Sequence, residues 1–80
     1  MDTNFLRHVG QEIRDARIAK GMSQRELGHE LGILDNTAMS RYENGTVAMS
    51  VVRLAEICNL LEIDPAELYA KCYVEFSEKI

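Results

Sequence analysis

Apolar residues return every three or four positions along most of this chain, the spacing of amphipathic helices rather than strands. Leu6, Val9, Ile13 and Ala16 make one stripe and predict a first helix over about residues 5–20, with Gly21 as its stop. Ser23 then caps a second helix, and Glu26 three residues on completes a capping box. In that helix Leu27 and Leu31 face inward, Gly28 leaves room for a second backbone, and Gly32 ends it. A third helix starts near Asp35, a plausible cap, and stops at Asn44-Gly45. Ala38, Met39 and Tyr42 form its inward set, which leaves Asn36, Thr37, Ser40 and Arg41 as a continuous polar face. A fourth helix begins at Ser50. Val51, Leu54, Ala55, Cys58 and Leu61 form its stripe, and Val52, Ile57 and Leu60 widen it, so it is expected to be the most buried. Asp64-Pro65-Ala66-Glu67 is the start signal of a fifth helix. Its end reads two ways: Tyr69, Cys72, Tyr73, Phe76 and Ile80 fit a helix, whereas Cys72, Val74 and Phe76 alternate as a strand does. Either way apolar side chains stand near a chain end, where a subunit interface is their natural use.

Eighty residues carry one domain with one core, expected to span 1–80 with its core in 5–70 and a dimerisation tail in 71–80. An apolar fraction of 46% is that of a folded protein, and no apolar run is long enough for a membrane span. No signal-peptide pattern opens the sequence, so a cytoplasmic location is expected. Cys58 and Cys72 stand without a CxxC or Cys/His cluster and read as reduced core thiols. His8 and His29 lack ligand companions, so neither a metal nor another cofactor is expected. The formal charge of −4 argues against nucleic acid as a partner. Its distribution weakens that objection. Residues 1–45 hold six Lys/Arg against seven Asp/Glu, and residues 46–80 hold three against six.

Helices two and three, hinged at Gly32, form a pair of which one can enter the DNA major groove while the other braces it. The residues that carry a wider similarity are Val9-Gly10-Gln11-Glu12-Ile13-Arg14, Arg17, Lys20-Gly21-Met22-Ser23-Gln24, Leu27-Gly28 and Leu31-Gly32. Ser40-Arg41-Tyr42-Glu43-Asn44-Gly45, Leu54-Ala55-Glu56-Ile57 and Ile63-Asp64-Pro65-Ala66-Glu67-Leu68 complete it. In their order and spacing the chain resembles the Cro/cI-type, or XRE-like, helix-turn-helix regulators over about residues 8 to 69. The resemblance implies an all-α, five-helix, lambda-repressor-like DNA-binding domain. Two departures stand out. Ile33-Leu34 occupies a turn where the family usually has one apolar residue, which leaves the first base-contacting position open among Asp35, Asn36 and Thr37. Met49 stands where the family usually has proline.

Arg41 is the first candidate for reading a base, since a guanidinium can grip O6 and N7 of guanine; the alternative is a solvated arginine paired with a nearby acid. Asn36 suits adenine and the Thr37 methyl suits thymine, although both also fit simple helix capping. Ser40 either touches a base or permits close approach. Gln24, at the start of the second helix, is placed for a backbone phosphate, a use the family makes of glutamine there. Arg25, Asn44 and Thr46 are further phosphate candidates; Arg14, Lys20 and Arg25 also offer diffuse attraction, with solvated surface charge as the favoured reading of each. The resemblance makes Arg17 and Glu43 a structural ion pair rather than catalytic groups. Tyr69, Cys72, Tyr73 and Phe76 are candidates for a dimer interface.

The leading expectation is therefore a sequence-specific regulator of transcription that binds a pseudo-palindromic operator in double-stranded DNA as a homodimer, of the phage-repressor or restriction–modification controller type. RNA polymerase or a cognate protein would be a further partner, and the membrane none. The alternative is an antitoxin-like or adaptor module that binds a protein and keeps the helix-turn-helix as scaffold. An enzyme is disfavoured, because no nucleophile–base pair, ligand cluster or phosphate loop is present.

Overall fold

The computed structural model describes residues 3–77, with the side chains of Thr3, Asn4, Asn36 and residues 75–77 outside the description. Five α-helices follow one another: α1 (Thr3–Ala19), α2 (Gln24–Glu30), α3 (Asn36–Asn44), α4 (Val51–Leu61) and α5 (Pro65–Ser77). The class is all-α. No helix is long and apolar enough to cross a membrane among the described residues.

The starts are set by side chains that accept orphan backbone N–H groups. Ser23 Oγ accepts from Glu26 N–H at 3.0 Å while Glu26 Oε1 accepts from Ser23 N–H at 2.9 Å, which is the expected capping box. Asp35 Oδ1 accepts from Thr37 N–H, Ser50 Oγ from Arg53 N–H and Asp64 Oδ1 from Ala66 N–H.

The first four helices end in one device, a residue at positive φ followed by a backbone bond reaching back five positions. Met22 N–H donates to Arg17 O, Ile33 to Gly28 O, Thr46 to Arg41 O and Ile63 to Cys58 O, at 2.8 to 3.1 Å. Glycine holds the positive φ in the first three, but Glu62 holds it in the fourth, at φ 58. The extra turn residue is accommodated here. Ile33 supplies the returning N–H and is half-buried, while Leu34 projects into solvent, 98% exposed.

The core draws on every helix: Val9 and Ile13 of α1, Leu27 of α2, Met39 of α3, Ile57, Cys58 and Leu61 of α4, and Leu68 and Cys72 of α5. Two expectations are corrected. Val51, Val52 and Ala55 are exposed, so the buried residues of α4, Ile57, Cys58 and Leu61, all lie in its C-terminal half; the first turn meets the core through Leu54, while Val51 stands at the rim of a cleft. Cys72 is fully buried in the core and offers no surface to a second subunit. The alternation at residues 72–76 does not make a strand, since α5 continues helically through Ser77. Both cysteines are buried free thiols, and burial, with a smaller push from Asp64, raises the Cys58 pKa.

α1 is the keel. It crosses the end of α3 so closely that a Cβ on Gly10 would lie 2.5 Å from Tyr42 O and 2.7 Å from the carbonyl carbon of Glu43. Gly45 meets α1 in the same way, against the backbone of Leu6 and Arg7. The recognition helix of the expected unit is thus clamped to α1 by direct backbone contact.

Candidate nucleic-acid interface

α3 divides cleanly into two faces. Met39 is fully buried and Ala38 and Tyr42 are half-buried, which turns Thr37, Arg41 and Asn44 outward on one stripe with Ser40 half-buried beside them. Gly28 makes this possible. Its missing Cβ would lie 3.2 Å from Met39 Cγ, so α2 and α3 interlock at that point. Among the described residues the Arg41 guanidinium forms no hydrogen bond or ion pair. The Asn36 side chain lies outside the described residues.

Capping settles the frame of the helix. Asp35 is the N-cap, so Asn36 and Thr37 are its first two residues. The hydrogen bonds from Thr37 to the Asp35 carboxylate hold its pKa below the ordinary value, with a weaker contribution from Arg41. Two phosphate candidates already have local work. Asn44 Nδ2 donates to Ser40 Oγ at 3.3 Å, and Thr46 Oγ1 donates to Arg41 O at 3.4 Å, helping to close the end of α3. Arg25 is exposed.

Beneath this surface Arg17 Nε donates to Glu43 Oε2 at 2.7 Å and Nη2 to Oε1 at 3.0 Å, while Nη1 donates to Met22 O at 2.7 Å. The pair is two-pronged and buried, Arg17 being 8% exposed and Glu43 4%. It ties α1 to the last turn of α3. Gln24 joins the same group, its Nε2 donating to Glu43 Oε1 at 3.2 Å. Nothing in the sequence announces this last bond, because the partners stand nineteen positions apart.

Two shape features also escaped the sequence. Gly10 in mid-helix was a signal of close approach, since glycine there weakens a helix unless packing requires it. Gly45 is the second: its left-handed turn lets the backbone of Leu6 and Arg7 pass close beside the end of α3. On α5 the expected interface residues separate. Tyr69 and Tyr73 are half-exposed and stack at 6.3 Å, and Phe5 meets Tyr69 edge-on at 5.4 Å. Phe76 has its side chain outside the described residues.

The profile of the Helix-turn-helix family matches residues 13–68. The chain belongs to the XRE-type helix-turn-helix family. This is a family of transcriptional regulators and not of enzymes. An uncharacterized HTH-type transcriptional regulator of Sinorhizobium medicae is 41% identical over 56 residues, covering 70% of this chain and 40% of its own length. Another from Sinorhizobium fredii is 34% identical over 62 residues, covering 78% and 43%. The chain thus spans about two fifths of the length of these relatives. Among solved structures, the restriction–modification controller protein C.AhdI from Aeromonas hydrophila superposes with a TM-score of 0.71 at 35% identity, over 79% of this chain and 94% of that one. The clp gene regulator ClgR from Corynebacterium glutamicum reaches 0.81 at 23% identity, over 94% and 79%, and supports the fold. In the expected helix-turn-helix unit, α2 takes the place of the bracing helix and α3 that of the recognition helix.

Proposed function

We propose that this helix-turn-helix unit binds operator DNA as a homodimer and regulates transcription from an overlapping promoter. The observation that carries the reading is the outward stripe Thr37, Arg41 and Asn44 on a helix locked from behind by the Arg17–Glu43 pair. Arg41 reads a base, Asn36 and Thr37 enter the groove at the helix start, and Ser40 permits close approach. Gln24, Arg25, Asn44 and Thr46 hold phosphates on either side. Helix termini and local cations supply this attraction against a net charge of −4, most of which lies in residues 46–80.

One recognition helix reads few base pairs, and two copies about 34 Å apart read an inverted repeat. The dimer forms through the aromatic strip of α5. Tyr69, Tyr73 and Val74 are 52–56% exposed there, next to Val51 and an apolar cleft that includes Phe5 and Leu68. The control of a restriction–modification system, as the name of C.AhdI suggests, is one setting for such a dimer. The same apolar strip also supports the second reading, an adaptor or antitoxin-like module that docks a protein.

The deciding experiment is a selection of genomic fragments with purified protein near physiological salt, followed by sequencing. The expected result is an enriched inverted repeat whose half-sites lie about one helical turn apart, with binding that falls steeply as salt rises. A folded protein that enriches no sequence would move the reading to the protein-docking module.

A further inference from the structure

The bond between Gln24 and Glu43 joins the first residue of the bracing helix to the last turn of the recognition helix. Glu43 has a side chain only 1% exposed, and both its oxygens are engaged by Arg17. A carboxylate paired with a guanidinium offers acceptors only. The Gln24 amide must therefore turn its nitrogen, not its oxygen, toward Glu43. That nitrogen carries two hydrogens, one given to Glu43 and the other directed away from it. Arg17 cancels the charge of Glu43, so the carboxylate can stand behind a phosphate-binding group without repelling the phosphate.

We propose that Glu43 is a positioning residue for DNA anchoring: it fixes the Gln24 amide so that the second Nε2–H meets a backbone phosphate. This rests on the reading of Gln24 as a phosphate contact. The side-chain freedom of Gln24 is then lost when the protein folds and not when DNA arrives. Because Glu43 lies two residues from Arg41 on α3, the phosphate anchor and the base-reading arginine move as one body. The pair Arg17–Glu43 thereby sets the register of the protein on the duplex as well as joining two helices.

The test is a double-mutant cycle on operator affinity at fixed salt. Four proteins are compared: wild type, Gln24→Ala, the paired variant Arg17→Met/Glu43→Met, and all three substitutions together. Replacing both charges leaves no unpaired ion in the interior, and circular dichroism checks the fold. Gln24→Ala is expected to weaken wild-type binding roughly tenfold or more, and to change the paired variant less than about threefold. Equal losses in both backgrounds would make Glu43 a structural residue only. No loss in the wild type, with the operator still bound, would remove Gln24 as an anchor and the proposal with it, while DNA binding stands. A wild type that binds no DNA would remove both readings.

A second measurement needs no variant to fold. In the NMR spectrum of the free wild-type protein, the two Gln24 side-chain amide protons should be separated beyond the spacing of a solvated glutamine, and the one given to Glu43 should exchange slowly. A solvent-like pair of amide protons would overturn the positioning role.

Discussion

Replacing Gly10 by alanine sets two effects of opposite sign against each other. In a helix interior alanine is favoured over glycine by about 0.5–1 kcal/mol, so an isolated α1 would gain stability. In the fold the new Cβ would stand 2.5 Å from Tyr42 O and 2.7 Å from the Glu43 carbonyl carbon, and closer still to Glu43 O. All three neighbours are backbone atoms of α3, and contacts under 3.0 Å do not persist. No side chain can swing aside, so α1 must back off from α3. Overpacking of this kind costs about 1–3 kcal/mol. The displacement would also strain the 2.7 Å and 3.0 Å bonds from Arg17 to Glu43, the very residue being pushed. The clash therefore outweighs the propensity gain, and the net loss is about 1–2 kcal/mol. For a domain this small that is a fall in melting temperature of roughly 4–16 °C, measured by circular dichroism. Gly28→Ala is the control. Its Cβ would meet Met39 Cγ at 3.2 Å, a side-chain atom that needs to give by only a few tenths of an ångström, and Ile33 O at an ordinary 3.7 Å. It should stay within about 1 kcal/mol of wild type. A Gly10→Ala protein melting at or above wild type would refute the reasoning, because propensity alone would then rule.

Glu62→Gly should stabilise the protein by about 0.5–1 kcal/mol, because a non-glycine residue now holds the left-handed end of α4. The exposed Lys20–Glu62 pair at 3.3 Å offers little in exchange, and a lowered melting temperature would show otherwise. Asp35→Asn keeps an acceptor for Thr37 N–H but cannot titrate. The Asp35 pKa is lowered in the folded state, so its contribution is complete above the ordinary aspartate value and lost as pH falls through the lowered one. The advantage of wild type over Asp35→Asn in denaturant melts should therefore shrink below about pH 4, and a constant difference down to pH 3 would contradict this. Arg41→Ala should leave the melting temperature unchanged and remove about 1–3 kcal/mol of discrimination at one position per half-site. An equal loss on every DNA sequence would make Arg41 a phosphate contact.

Local chemistry determined much of this protein without help from the fold. Ser23 with Glu26, Asp35, Ser50 and Asp64 place four helix starts because a cap needs only its own next two or three residues. Gly21, Gly32 and Gly45 place three ends for the same reason. The stripe Val9–Ile13 and the inward Met39 follow from periodicity, and with them the outward face of α3. Periodicity says which side of a helix is apolar, but not which part of that side meets a neighbour. Val51 and Val52 therefore read as core and stand in solvent, whereas Cys72 reads both as a core thiol and as interface, and lies in the core. Only the tertiary structure decided that α1 would cross α3 at Gly10, and that Gln24, Arg17 and Glu43 would converge from three helices. Such contacts depend on the angle and distance between helices, which arise from the packing of the whole core and leave no spacing in the chain to read.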